Sequence, residues 1–129
     1  MLTAYRSAVF RAPEESLPDD FYVVTASNPF GKEVGGAVNK RRQLDLAGRL
    51  DSLGVPRFFV TGFSPDFTHS EIGYGIRCDL VAALQLGRHY NQDAVFRVSG
   101  DDLWLVDCAS GKQEPIGRFV CILAPFRSE

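Results

Sequence analysis

A chain of 129 residues is one domain's worth of protein, and a 45% hydrophobic content is enough for a core. The formal net charge of −2 leaves no basic surplus for bulk electrostatic binding of nucleic acid, and no apolar run approaches the length that spans a bilayer. Neither nucleic acid nor membrane is therefore expected as a partner, and residues 1–129 read as a single domain.

In chain order, residues 5–12 read as a strand, with Tyr5, Ser7, Val9 and Arg11 alternating against Arg6, Ala8 and Phe10. Residues 13–20 form a polar loop with two prolines. Residues 21–26 are a β-rich run, apolar on both faces, which predicts a central strand. A loop over 27–34 carries Asn28-Pro29 and Gly31. Residues 35–53 carry helical periodicity, and Gly54 is a natural stop. A second core strand is predicted over 56–63, a turn-rich connection over 64–70, and a third strand over 71–77.

That third strand places Ile72, Tyr74 and Ile76 on one face and Gly73 and Gly75 on the other. Two glycines on one face of a strand predict close approach of another group, and tight helix packing is the expected cause. Asp79 caps a second helix running to Tyr90, with Leu80, Ala83, Leu84 and Gly87 as its buried stripe. Residues 92–98 follow as a fourth core strand. Turns at 99–102 and 109–112 then set off strands over 103–108 and 116–123.

Cys78, Cys108 and Cys121 are odd in number, widely spaced and free of any C-x-x-C pair, so reduced thiols and a cytoplasmic setting are expected. The start of the chain has no apolar stretch behind a charged end, so it does not read as a signal peptide. His69 and His89 lack ligand-spaced companions, and neither a metal site nor a cofactor is predicted.

Without the first strand and the last two, the order is strand, helix, strand, strand, helix, strand. This is the split β-α-β pattern of a ferredoxin-like α+β sandwich, with two helices on one face of a mostly antiparallel sheet. One N-terminal strand and a C-terminal two-strand extension are added to it. In that layout the end of the first core strand, carrying Thr25 and Asn28, lies between the start of the third, carrying Glu71, and the start of the fourth, carrying Gln92. The long helix begins at the same rim. Its stripe of Asn39, Arg42, Leu46, Leu50 and Leu53 begins polar and ends apolar. An Asn and an Arg on a core-facing stripe need partners or a ligand.

The stretch T-A-S-N-P-F-G, the N-K-R-R holding Asn39 and Arg42, Glu71 in H-S-E-I-G-Y-G-I, and L-G-R-H-Y-N-Q-D-A-V-F carry a resemblance. Over roughly residues 5–108 the chain resembles a bacterial family of small proteins known as domain of unknown function 3293. The family's pattern of T-A-x-N-P, N-x-x-R, an acidic residue before an apolar strand, and Q-x-A falls on Thr25, Asn28, Pro29, Asn39, Arg42, Glu71, Gln92 and Ala94. Trp is common in that pattern where Ser27 stands here, and Phe30 is a nearby replacement. The resemblance implies no established activity.

Each residue also has a plainer role. Asn28-Pro29 fits an Asx-turn. Arg42 and Glu71 fit a partly buried ion pair locking helix to strand. Asp66, Asp101, Asp102 and Asp107 fit turns and surface, and Trp104 fits core or interface. Gly35-Gly36 and the helix start fit an anion site, although no P-loop pattern is present.

Three functions are compatible with these residues. The favoured one is a module binding a small molecule or anion through Thr25, Asn28, Asn39, Arg42, Glu71 and Gln92. The second is a protein-interaction or regulatory domain, of the toxin-neutralising type, using a sheet edge for a partner or for a homodimer. The third is an enzyme with Glu71 as base and Arg42 beside it, which needs Glu71 accessible rather than paired. A concave pocket at the rim would favour the first, and a flat apolar edge the second.

Overall fold

The computed structural model describes residues 9–12, 17–63 and 70–123. Within the predicted elements, residues 5–8 of the first strand, 13–16 of the polar loop and 64–69 of the connection, with Asp66 and His69, lie outside the described residues. The elements are β1 (Val9–Ala12), β2 (Asp20–Val24), α1 (Gly36–Ser52), β3 (Arg57–Phe63), β4 (Ser70–Ile76), α2 (Leu80–His89), β5 (Ala94–Ser99), β6 (Asp102–Asp107), β7 (Gln113–Arg118) and β8 (Cys121–Leu123). A single 3-10 turn, Pro29–Gly31, separates β2 from α1. Among the described residues, no helix is long and apolar enough to cross a membrane.

The fold is α+β. One sheet runs β7-β6-β5-β2-β4-β3-β1-β8, and every neighbouring pair is antiparallel except β1 with β8. Strand β2 is central and buried on both faces. Tyr22 and Val24 meet α1 and α2 in a core with Leu46, Leu50, Ala83 and Leu86. Phe21 and Val23 point the other way, into a second core with Phe10, Val60, Val98 and Leu103.

The second core is where the sheet curls. Phe10 on β1 and Phe96 on β5 are four strand positions apart, on the order of 19 Å in a flat sheet. Their rings are 5.2 Å apart, edge to face. Phe119 packs on Phe10 and Phe21, and Phe58 on Phe21, so a cluster of phenylalanines draws the two sides of the sheet together.

Three expectations are corrected here. The predicted last strand, 116–123, is two strands. β7 begins at Gln113, and its Pro115 and Gly117 (φ 144°) lie beside an irregular register with β6. Phe119 and Val120 then carry the chain to the opposite sheet edge, where β8 pairs with β1. Leu53 is 61% exposed, because α1 ends at Ser52 and Val55, past the turn at Gly54, packs against the core instead.

The glycines of β4 do not accommodate a helix. Gly75 lies under the Phe58 ring, which a Cβ would strike, and a Cβ on Gly73 would come within 3.2 Å of the Val24 and Val60 carbonyl oxygens. Both belong to the face turned away from the helices. The tight helix approach is made by Gly87 on α2, where a Cβ would lie 2.6 Å from the Cys108 sulfur. Cys78, Cys108 and Cys121 are free thiols.

Candidate functional site

The polar start of the α1 stripe lies against the loop that leaves β2, where the backbone has no strand partner and must find others. Asn39 makes a two-point contact with Asn28: its Oδ1 accepts from the Asn28 backbone N–H and its Nδ2 donates to Asn28 Oδ1, both at 2.8 Å. Arg42 donates from Nε to the Ala26 carbonyl at 2.5 Å and from Nη2 to the Tyr90 carbonyl. Gln92 donates from Nε2 to the carbonyls of Ser27 (2.9 Å) and Tyr90 (3.1 Å). Thr25 Oγ1 donates to the Ile72 carbonyl at 2.8 Å and accepts from the Ser27 N–H at 3.1 Å.

Five of the six predicted residues thus form a clasp joining the ends of β2 and α2 to the starts of α1 and β5. Its members bond mainly to backbone, so they hold the loop's shape. The Asx-turn reading of Asn28 gives way: its side chain bonds across to Asn39, and its backbone is left-handed at φ 48°.

Glu71 does not join them. In β4, Tyr74 and Ile76 face the helices, so alternation turns Glu71 with Gly73 and Gly75 to the other face. The Arg42–Glu71 ion pair is therefore not formed, since the two groups leave opposite sides of the sheet. Glu71 is an exposed residue, and partial desolvation of its carboxyl raises its pKa above the ordinary value.

Gln43 belongs to the clasp and escaped the sequence reading. It is 8% exposed, accepts from the Ala26 N–H at 2.6 Å through Oε1, and donates through Nε2 to the Ile72 carbonyl. Its signal was its position one turn after Asn39, on the stripe continued by Leu46 and Leu50. Tyr90 was also missed. Its ring is buried, and its hydroxyl donates to Asp45 (2.6 Å) and accepts from Arg49 Nε (3.2 Å). Burial and the bond to Asp45 raise its pKa, so it stays a neutral phenol.

What the clasp presents outward is the 3-10 turn and the start of α1. Phe30 is 64% exposed and left-handed at φ 52°, and its N–H donates to the Asn91 carbonyl at 2.6 Å. Two non-glycine residues with positive φ in three positions is strain of about 1–3 kcal/mol each, held by the surrounding bonds. Beyond the turn, α1 begins at Gly36, behind the cap residue Gly35, with no side-chain cap and no acidic residue in its first turn. Lys32, Lys40 and Arg41 are exposed around it. Two cavities of about 400 Å³ lie elsewhere, one by Asp20, Tyr22 and Arg97 and one by Asp51, Phe59 and Tyr74, and no clasp residue lines either.

No curated protein and no solved structure shows significant similarity to the chain. The family described as "Protein of unknown function (DUF3293)" matches residues 24–95, a span that contains every residue of the clasp from Thr25 to Gln92. With more than half of its length matched, the chain belongs to that family.

Proposed function

We propose that this protein is a binding domain that presents the loop between β2 and α1 to a protein partner, with Phe30 as the anchor. The observation that carries the reading is a large aromatic side chain, 64% exposed and held in a left-handed conformation by a clasp whose polar groups are otherwise engaged. A rigid, exposed aromatic contributes contact area at little entropic cost on binding, which is how interface anchors act. Pairing through the β7 edge, for a partner or a homodimer, is less favoured: Pro115 lacks the N–H that an added strand would need. The strand order β5-β2-β4-β3 with both helices on one face supports a ferredoxin-like reading of the central strands.

A second reading keeps an anion as the ligand. It is favoured by the uncapped start of α1 among Lys32, Lys40 and Arg41, where backbone N–H groups and the helix dipole attract negative charge. Catalysis by Glu71 with Arg42 loses support, because the two leave opposite faces of the sheet.

A photo-crosslinking residue placed at position 30, with a control at the exposed Val81 on α2, tests the first reading in the protein's native cells. A discrete adduct from position 30 alone is expected, and equal or absent adducts from both positions would reject the anchor. Titration of labelled protein with inorganic phosphate tests the second: it requires shifts confined to the Gly36 and Ala37 amides.

A further inference from the structure

At the end of the sheet remote from the clasp, β2 begins, β4 ends and α2 starts around a cavity of about 410 Å³. That size falls within the usual range for ligand sites, roughly 300–1,000 Å³. Asp20, Tyr22, Arg77, Cys78, Asp79 and Arg97 line it. Tyr22 is 6% exposed, yet its hydroxyl has no hydrogen-bond partner among the described residues. The ring is buried while the hydroxyl itself is reached by solvent, so at the cavity wall it offers an open donor and acceptor to an occupant.

Around it, charge is arranged in two kinds. The Arg97 guanidinium, directly across the strand pair from Tyr22, is fixed by Asp20 at 3.3 and 3.4 Å and by Gln113 at 3.2 Å. Arg77 is exposed and carries a guanidinium with no side-chain partner among the described residues. Asp79 accepts from the Ala82 N–H through Oδ1 at 2.8 Å, which leaves its other oxygen.

We propose that this cavity binds a small zwitterion of the α-amino-acid class, its carboxylate on the Tyr22 hydroxyl and Arg77 and its ammonium on Asp79 and Asp20. Two guanidinium groups and two carboxylates give a lining with no net charge, so neither a simple anion nor a simple cation satisfies both halves. The Cys78 thiol forms a neutral wall, because burial pushes its pKa up to about 11, and it takes no part as a nucleophile.

The test titrates labelled full-length protein with each of the common amino acids at millimolar concentration, following the Arg97 and Arg77 side-chain resonances. Acetate and methylammonium serve as the two half-ligands. At least one amino acid is expected to shift both arginines and to bind about tenfold or more tightly than either half-ligand. Tyr22→Phe, which removes only the hydroxyl, should weaken that binding about tenfold with thermal stability unchanged. If Tyr22→Phe does not fold, Arg77→Gln at the exposed position gives the same reading. Absence of any shift across the amino acids, or acetate binding as tightly as the zwitterion, overturns the proposal.

Discussion

The two ends of the helix-covered face of the sheet are polar in opposite senses. At the clasp, Asn39, Arg42, Gln43 and Gln92 all bond within the protein, largely to backbone groups of one loop. At the cavity beside Tyr22, a hydroxyl and a guanidinium have no partner among the described residues. A polar residue on a core-facing stripe is thus as readily a tether as a ligand contact. What separates the two is whether its donors and acceptors are already taken. The clasp shapes a loop, and the cavity is the place where hydrogen-bonding capacity remains.

The largest effect is expected from removing a tether. Gln43→Leu keeps the volume and leaves the Ala26 N–H and the Ile72 carbonyl with one partner fewer in a buried site. It should cost about 3 kcal/mol, read as a lowered denaturation midpoint. A loss below about 0.5 kcal/mol would mean that the clasp is not structural.

Next comes Arg42→Ala, which takes a donor from the Ala26 and Tyr90 carbonyls. A loss of about 2 kcal/mol is expected, because Tyr90 retains Gln92 as a donor. The same loss should appear in a Glu71→Gln background, since the two residues are not paired. Strong non-additivity in that double-mutant cycle would restore the ion pair.

At the other end, Tyr22→Phe removes a hydroxyl that holds nothing in the protein, so stability should change by less than about 0.5 kcal/mol. A larger loss in thermal unfolding would show that the hydroxyl is a tether as well, and the contrast between the two ends would fail.

The smallest effect belongs to Glu71. Its pKa is raised in the folded protein, so its folded state takes up a proton more readily than its unfolded one. The penalty is present above the folded pKa and vanishes as pH falls below the unfolded value. Wild type should therefore gain slightly on Glu71→Gln as pH drops through the acid range, measured by urea midpoints at several pH values. The reverse slope would mean that a cation partners the carboxylate.

Much of this protein was legible as periodicity and punctuation. The spacing of Leu46 and Leu50, the Asp79 cap and Gly54 marked both helices, and the run from Phe21 to Val24 marked the central strand, because these signals are local and repeat with the element's own geometry. Strand order then placed Thr25, Asn28, Asn39, Arg42 and Gln92 at one rim. The face of Glu71 was in principle readable too, since alternation already set it with Gly73 and Gly75.

Other features depend on residues far apart in the chain. The Phe58 ring over Gly75, the phenylalanines that curl the sheet, and the crossing of β8 to pair with β1 follow from long-range packing, which no single segment encodes. Whether Arg42 meets a carboxylate, a ligand or two backbone carbonyls was likewise settled only when the loop after β2 and the corner at Tyr90 were brought against it, because a donor's partner is chosen by what the fold places within about 3 Å.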